Sequence, residues 1–205
     1  MNLRFKLVTT IATVCILATV LVVSVFAISE PQVSVSGNVS FAADQVYAKV
    51  LLYKANEPVT DKNNIVYVDT GSVISFDNTD TEDIEKTENI DLDKLTDTKN
   101  VTGYKIEIVD DSEDVMVGVK IASLILPQVE AGYSQFTTVK AYINSEEYIA
   151  GTTDLNSFTS NAGEKIIVEI IITVDTSNDI PESINDLFPD TLDGYLQCVL
   201  ARVNY

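Results

Sequence analysis

The sequence predicts an all-β protein: a single jelly-roll-like β-sandwich with one or two short helices. Three observations carry that expectation. Short runs alternate apolar and polar residues, with Gly, Asn, Asp and Ser between them, as half-buried strands and their turns do. One run, KIIVEIIITVD at 165–175, is apolar on both parities and interrupted only by Glu169 and Thr173. Such a strand must be covered on both sides. No repeat of 20–50 residues and no Pro/Ser/Gly-rich linker divides the chain, so the strands belong to one domain.

Taken in order, the alternation begins at Val33. Val33, Val35, Val39 and Phe41 share one parity; Ser34, Ser36, Asn38 and Ser40 share the other. VYAKVLLY follows at 46–53, and the intervening Ala42-Ala43-Asp44 shifts the apolar parity, which predicts a bulge or bend. IVYVDT (65–70) and SVISF (72–76) flank Gly71 and predict a hairpin. YKIEIV (104–109) alternates cleanly, and VMVGVKIASLIL (115–126) puts Val115, Val117, Val119 and Ile121 on one face. The acidic link Asp110-Asp111-Ser112-Glu113-Asp114 is expected to join these two as a hairpin loop. SQFTTVKAYI (134–143) and EYIAGTT (147–153) meet at a turn, Asn144-Ser145-Glu146. The doubly apolar run at 165–175 should be a central strand. PESINDLF (181–188) suits a short helix with proline in its first turn, and GYLQCVLARVNY closes the chain as a strand.

The one segment of low hydrophobicity is the acidic insert 77–100, with nine acids and three lysines. Ile84, Leu92 and Leu95 suit one side of a short helix, and Thr79-x-x-Glu82 suits a capping box. A partly helical loop on the sandwich rim is expected there.

Residues 1–27 have the form of an export signal. Arg4 and Lys6 precede an uncharged apolar run at 7–26, and Val25-Phe26-Ala27 suits cleavage between Ala27 and Ile28. The run is also long enough to span a bilayer, so an uncleaved anchor through 7–26 is the other fate. Cys15 lacks the small residue that a lipoprotein signal wants just before its cysteine. Cleavage leaves residues 28–205 as a secreted or cell-surface sandwich domain, with Cys198 its only cysteine. No internal disulfide is then possible, and Cys198, within YLQCVLARV, is expected as a small buried hydrophobe.

Thirteen Lys and Arg stand against 31 Asp and Glu, a net charge of −18. That acidity argues against nucleic acid and against anionic membrane surfaces, which attract basic patches. The chain has no histidine, which removes Ser-His-Asp and Cys-His triads and the common zinc sets. Catalysis would have to use carboxylates, a Ser/Lys pair or tyrosine. Glu107 and Glu169 lie within strands, and no S-x-x-K occurs after the leader. Asp91-Leu92-Asp93 starts like a calcium loop, but Thr96 stands where glycine is needed and no glutamate closes it. No cofactor is expected; calcium at the acidic 110–114 link is the weaker alternative. Nine tyrosines suit half-exposed strand positions and also offer ring faces to a sugar.

The first strand sits right after the leader. It can pair within its own sheet, or leave and add to a neighbour's sheet, the strand-addition mode of assembly. In the second case Val33 and Val35 are the donated contacts, and Gly37 is the bend between residues 28–36 and the body.

Ser36-Gly37-Asn38, Phe41, Ala42 and Val46, placed soon after a signal segment, resemble the start of exported matrix proteins of Gram-positive bacteria, the TasA/camelysin-like fibre protein family. NAGEKIIVEIIITVD is similar to that family's turn before a hydrophobic strand, with Gly163-Glu164 matching and Ala162 departing. The segment at 26–30 and the pair Ala42-Ala43 also depart from the family pattern. The resemblance implies a jelly-roll sandwich, secretion through a dedicated signal peptidase and fibres built by donor-strand exchange. A metalloprotease label carried by some members does not transfer to a chain without histidine. The expectation is therefore a structural protein of a bacterial surface or biofilm matrix, not an enzyme, that associates with itself or other matrix subunits. Its rival is a monomeric extracellular binding module or adhesin for carbohydrate or another surface ligand.

Overall fold

The computed structural model describes residues 32–77, 84–114, 116–161, 164–175, 187–189 and 191–205. The strands are β1 (Ser36–Asp44), β2 (Tyr47–Ala55), β3 (Tyr67–Asp77), β4 (Ile84–Asp91), β5 (Val101–Asp110) and β6 (Val117–Ile125), then β7 (Thr137–Ile143), β8 (Glu146–Tyr148), β9 (Thr159–Asn161), β10 (Lys165–Val174) and β11 (Tyr195–Asn204). The run apolar on both parities is β10, and it is central, antiparallel to β5 on one side and β7 on the other. Ile166, Val168, Ile170, Ile172 and Val174 are buried on its inner face. Lys165, Ile167, Glu169, Ile171 and Thr173 take the opposite parity and face outward.

The sheet containing β10 has six strands, in the order β3-β2-β5-β10-β7-β8; a second sheet has five, in the order β4-β1-β11-β6-β9. Val39, Phe41, Ile121, Leu196 and Leu200 from the five-stranded sheet share one core with Val50, Leu52, Tyr104, Ile106 and the β10 row. This is the expected β-sandwich. The closing strand β11 lies inside its sheet, parallel to β1 from Asn38↔Tyr195 to Asp44↔Ala201 and antiparallel to β6. Cys198 is buried there, and burial pushes its thiol up to about 12. The turn at Asn144-Ser145 is a two-residue hairpin, with φ of 48° and 73° and Ile143 paired to Glu146. Two positive φ values are what the twist of flanking strands demands of so short a turn.

Three expectations need correction, and a fourth resolves between its two alternatives. The acidic insert is not a partly helical rim loop: its residues from Ile84 to Asp91 are β4, paired antiparallel to β1 along its length. The unpaired N–H and C=O groups on that side of β1 require a partner, and this tertiary demand overrides the polar composition. Thr79 and Glu82, the proposed cap, lie outside the described residues. Gly71 is not the tip of a hairpin. β3 runs through it, and both halves pair with β2; Leu51↔Val73 and Tyr53↔Asp69 leave Thr70, Gly71 and Ser72 opposite Leu52. The bulge is held by Thr70 Oγ1 donating to Leu52 O (2.8 Å) and Gly71 N donating to Asp69 Oδ1 (2.8 Å), and φ of 78° makes glycine the fitting residue. The parity shift after Ala42-Ala43-Asp44 is the expected bend and not a bulge. β1 continues to Asp44, and the chain turns at Gln45 (φ 49°). Lastly, the 110–114 link is no hairpin loop, since β5 and β6 lie in different sheets. A solvated acidic link suits a crossing over the sandwich end.

That crossing strands one carboxylate. Asp110 has the inward parity of β5 and is buried; its Oδ1 accepts from Ser112 N (3.1 Å), but Oδ2 is buried without a partner. Burial raises its pKa above the ordinary 3.8, the Ser112 N–H pulls it down, and the charge on Asp111 pushes it up again, for a net rise. A raised folded-state pKa means the fold prefers the neutral acid. That contribution is complete below 3.8 and lost as pH rises through the folded value. Asp110→Asn should therefore gain on the order of 1 kcal/mol at neutral pH. The gain should vanish in acid, as thermal melts in the two buffers will read.

The leader, the Ala27–Ile28 junction and most of the expected 181–188 helix lie outside the described residues. Leu187 and Phe188, which end that segment, are buried in the core. Among the described residues no helix is long and apolar enough to cross a membrane.

Candidate functional site

Two places gather the residues singled out by the sequence. The first is the approach to β1. Val33 and Val35 are 1% and 6% exposed, part of the domain's own core. Val33 lies outside the named strands and forms an isolated antiparallel bridge with Leu95. Val33 N donates to Leu95 O (2.9 Å), Leu95 N donates back to Val33 O (2.8 Å), and Leu187 N donates to Ser34 O (2.9 Å). Gly37 is inside β1, opposite Ile90. A Cβ there would lie 3.0 Å from Tyr104 Cδ1 and 3.1 Å from Ile90 Cβ, so close packing under the Tyr104 ring asks for glycine. The chain joins the sheet at Ser36, one residue before Gly37.

The second place is the outer face of the six-stranded sheet, where pairing register puts charged and aromatic residues side by side. Glu107 pairs with Ile167 and Leu51; Lys105 pairs with Glu169 and Tyr53; Glu169 pairs with Tyr142. Glu107 receives Lys105 Nζ and Lys165 Nζ, each at 2.9 Å. Burial alone would raise its pKa, but the hydrogen bonds from Lys165 and Lys105 outweigh that and hold it below the usual carboxylate range. A glycosidase pair needs one carboxyl kept protonated; two lysines favour the opposite state at Glu107. Lys105 Nζ also stands 4.3 Å from the Tyr53 ring centroid and 5.8 Å from that of Tyr67. Tyr67 lies over Gly103, where a Cβ would come within 3.3 Å of its hydroxyl. That hydroxyl is buried and lacks a partner in hydrogen-bond geometry; burial, and then the nearby Glu169 carboxylate, raise its pKa strongly.

Beside this belt is a cavity of about 280 Å³, lined by Lys62, Asn63, Ile65, Tyr142, Ser145, Glu169 and Ile171. One wall is the segment between β2 and β3. It is pinned by the Val59↔Val101 bridge and by Asn56 N donating to Val66 O (2.8 Å). Its short 3₁₀ turn (Lys62–Asn64) is capped by Asp61, whose Oδ1 accepts from Asn63 N and Nδ2, both at 3.0 Å. Lys62 Nζ then donates to Tyr142 Oη (3.2 Å). The opposite wall is the β7–β8 turn, fixed to β10 by Asn144 N donating to Ile167 O and Ile167 N donating to Asn144 Oδ1, each at 2.8 Å. Outward-facing Ile171 is only 8% exposed.

Of the cavity residues, sequence reading singled out Glu169 and, among the tyrosines, Tyr142. Ser145 carries only a turn signal and Lys62 and Asn63 none that points to a site, because only tertiary pairing brings their loops together. In the acidic 110–114 link, Asp111 is paired with Lys49 (2.8 Å), and Asp114 Oδ1 accepts from Met116 N (2.9 Å). Among the described residues no group of three or more His, Cys, Asp or Glu gathers to hold a metal ion. Comparisons with family models, curated proteins and solved structures found no match.

Proposed function

We propose that this chain is an exported, non-enzymatic structural subunit of a bacterial surface or extracellular matrix, and that it self-associates by donating the segment before β1 to a neighbouring copy. The observation that carries this reading is the Val33–Leu95 bridge. Two valines from the N-terminal approach fill a core slot, and among the described residues the segment before β1 is tied to the body by the backbone hydrogen bonds of Val33 with Leu95 and of Ser34 with Leu187. The same slot can take the same residues from another copy with no change in local contacts, which makes exchange a low-cost route to assembly. The acidic chain suits an exported subunit that stays soluble until it assembles. The resemblance of Ser36-Gly37-Asn38 and its surroundings to TasA/camelysin-like fibre proteins supports the same reading.

The bridge supplies its own test. Two antiparallel residues that exchange both hydrogen bonds have Cα atoms about 5.5 Å apart, within disulfide range. Val33→Cys with Leu95→Cys, in a Cys15→Ser background, should lock intramolecularly when oxidised as a monomer, and then form no fibres. Oxidation after assembly should instead give a covalent ladder on denaturing, non-reducing gels. Fibres growing equally well from the locked monomer, or assembled material that oxidises only to monomers, would refute segment exchange.

A further inference from the structure

The geometry points to a saccharide site: the cavity between the β2–β3 segment, the β7–β8 turn and β10 takes a single neutral sugar ring of a polysaccharide. This goes beyond the structural role and uses none of the residues of the exchanged segment. At about 280 Å³ the cavity is small, near the lower end of ligand pockets, and fits one ring better than an extended chain. Its lining alternates function: the Lys62 ammonium donates, the Asn63 amide and the Ser145 and Tyr142 hydroxyls both donate and accept, and the Glu169 carboxylate accepts. Ring hydroxyls are donors and acceptors at once, so they can satisfy both kinds of group. Ile65, Ile171 and the Tyr142 ring supply apolar surface for the C–H face of a pyranose. One cation and one anion balance each other in the lining, which favours a neutral ligand. The net charge of −18 further opposes an anionic one.

The walls are held in place before any ligand arrives. Asp61 fixes Asn63, and Asn144 fixes the turn that carries Ser145. Asn63 Nδ2 gives one of its two hydrogens to Asp61, which orients the amide and leaves the second N–H and the carbonyl oxygen for a ligand. A subunit with such a site would hold matrix polysaccharide while its N-terminal segment holds its neighbours.

The test is ligand-observed NMR and calorimetry on the full chain, with glucose, galactose and N-acetylglucosamine as probes and glucuronate as the charged comparison. At least one neutral sugar should bind, and more tightly than glucuronate. Glu169→Gln and Lys62→Ala should each weaken binding about tenfold, the scale of a lost hydrogen bond to a charged group, with circular dichroism unchanged. Lys49→Ala, on the same sheet face but paired with Asp111, should bind as the parent does. No binding by any neutral sugar, stronger binding of glucuronate, or full binding by both cavity variants overturns the site. None of those outcomes touches the disulfide-locking result, so the two proposals fail separately.

Discussion

A chain lacking residues 28–35 should form no fibres under electron microscopy and should melt far below the intact chain. Both effects come from one slot. Val33 and Val35 are buried in the core, and each contributes about 1.5–3 kcal/mol when fully removed from water. The backbone bonds to Leu95 and from Leu187 contribute about 0.5–1.5 kcal/mol each. The loss is several kcal/mol against a total stability of about 5–15 kcal/mol. At about 2–4 °C per kcal/mol for a domain of this size, the midpoint falls by roughly 10 °C or more. The truncated protein is therefore an acceptor with an empty site. A peptide of residues 28–35 added in trans should raise the midpoint with its concentration, as mass action requires of anything that binds only the folded state. The same peptide carrying Val33→Asp and Val35→Asp should not. An unchanged melt, or fibres that persist without the segment, would leave Val33 and Val35 as ordinary core residues or as bystanders.

The sequence carries the parts of this fold that depend on local pattern. β10 is legible because a central strand must be apolar on both parities, and residues 165–175 are. The Asn144-Ser145 turn is legible because polar residues suited to positive φ stand between two alternating runs. What is not legible depends on partners distant in sequence. β4 forms because β1 offers an open edge, although the residues 84–91 themselves are as polar as a loop. Gly71 signals a positive φ, and that signal is the same for a hairpin tip and for a bulge. Only the location of β2 decides between them. The cavity is the extreme case. Glu169 and Tyr142 meet through strand register, while Lys62, Asn63 and Ser145 arrive on loops whose own sequences promise only turns.

Gly103→Val should be among the most destabilising single substitutions in the six-stranded sheet, and it should damage the cavity as well as the fold. Gly103 lies on β5, between β2 and β10, opposite Ile171. A Cβ there would fall inside van der Waals contact of the Ile170 carbonyl oxygen, and 3.3 Å from the Tyr67 hydroxyl. The hydroxyl sits at the end of a side chain that can move. The carbonyl is part of the β10 ladder and cannot move without lengthening hydrogen bonds to β5 or β7. Overpacking of this kind costs about 1–3 kcal/mol, and a branched side chain against backbone belongs at the upper end. That corresponds to a fall in the midpoint of roughly 4–10 °C. Tyr67→Phe separates the two contacts: it relieves the hydroxyl but not the carbonyl, so it should not rescue Gly103→Val. Full rescue would show that the hydroxyl, not the backbone, sets the need for glycine. Because Tyr67 faces Glu169 from this spot, displacing it also shifts the cavity's carboxylate wall. Neutral-sugar binding should then weaken in the fraction of Gly103→Val protein that remains folded, whereas Asp110→Asn, at the far end of β5, should leave binding intact.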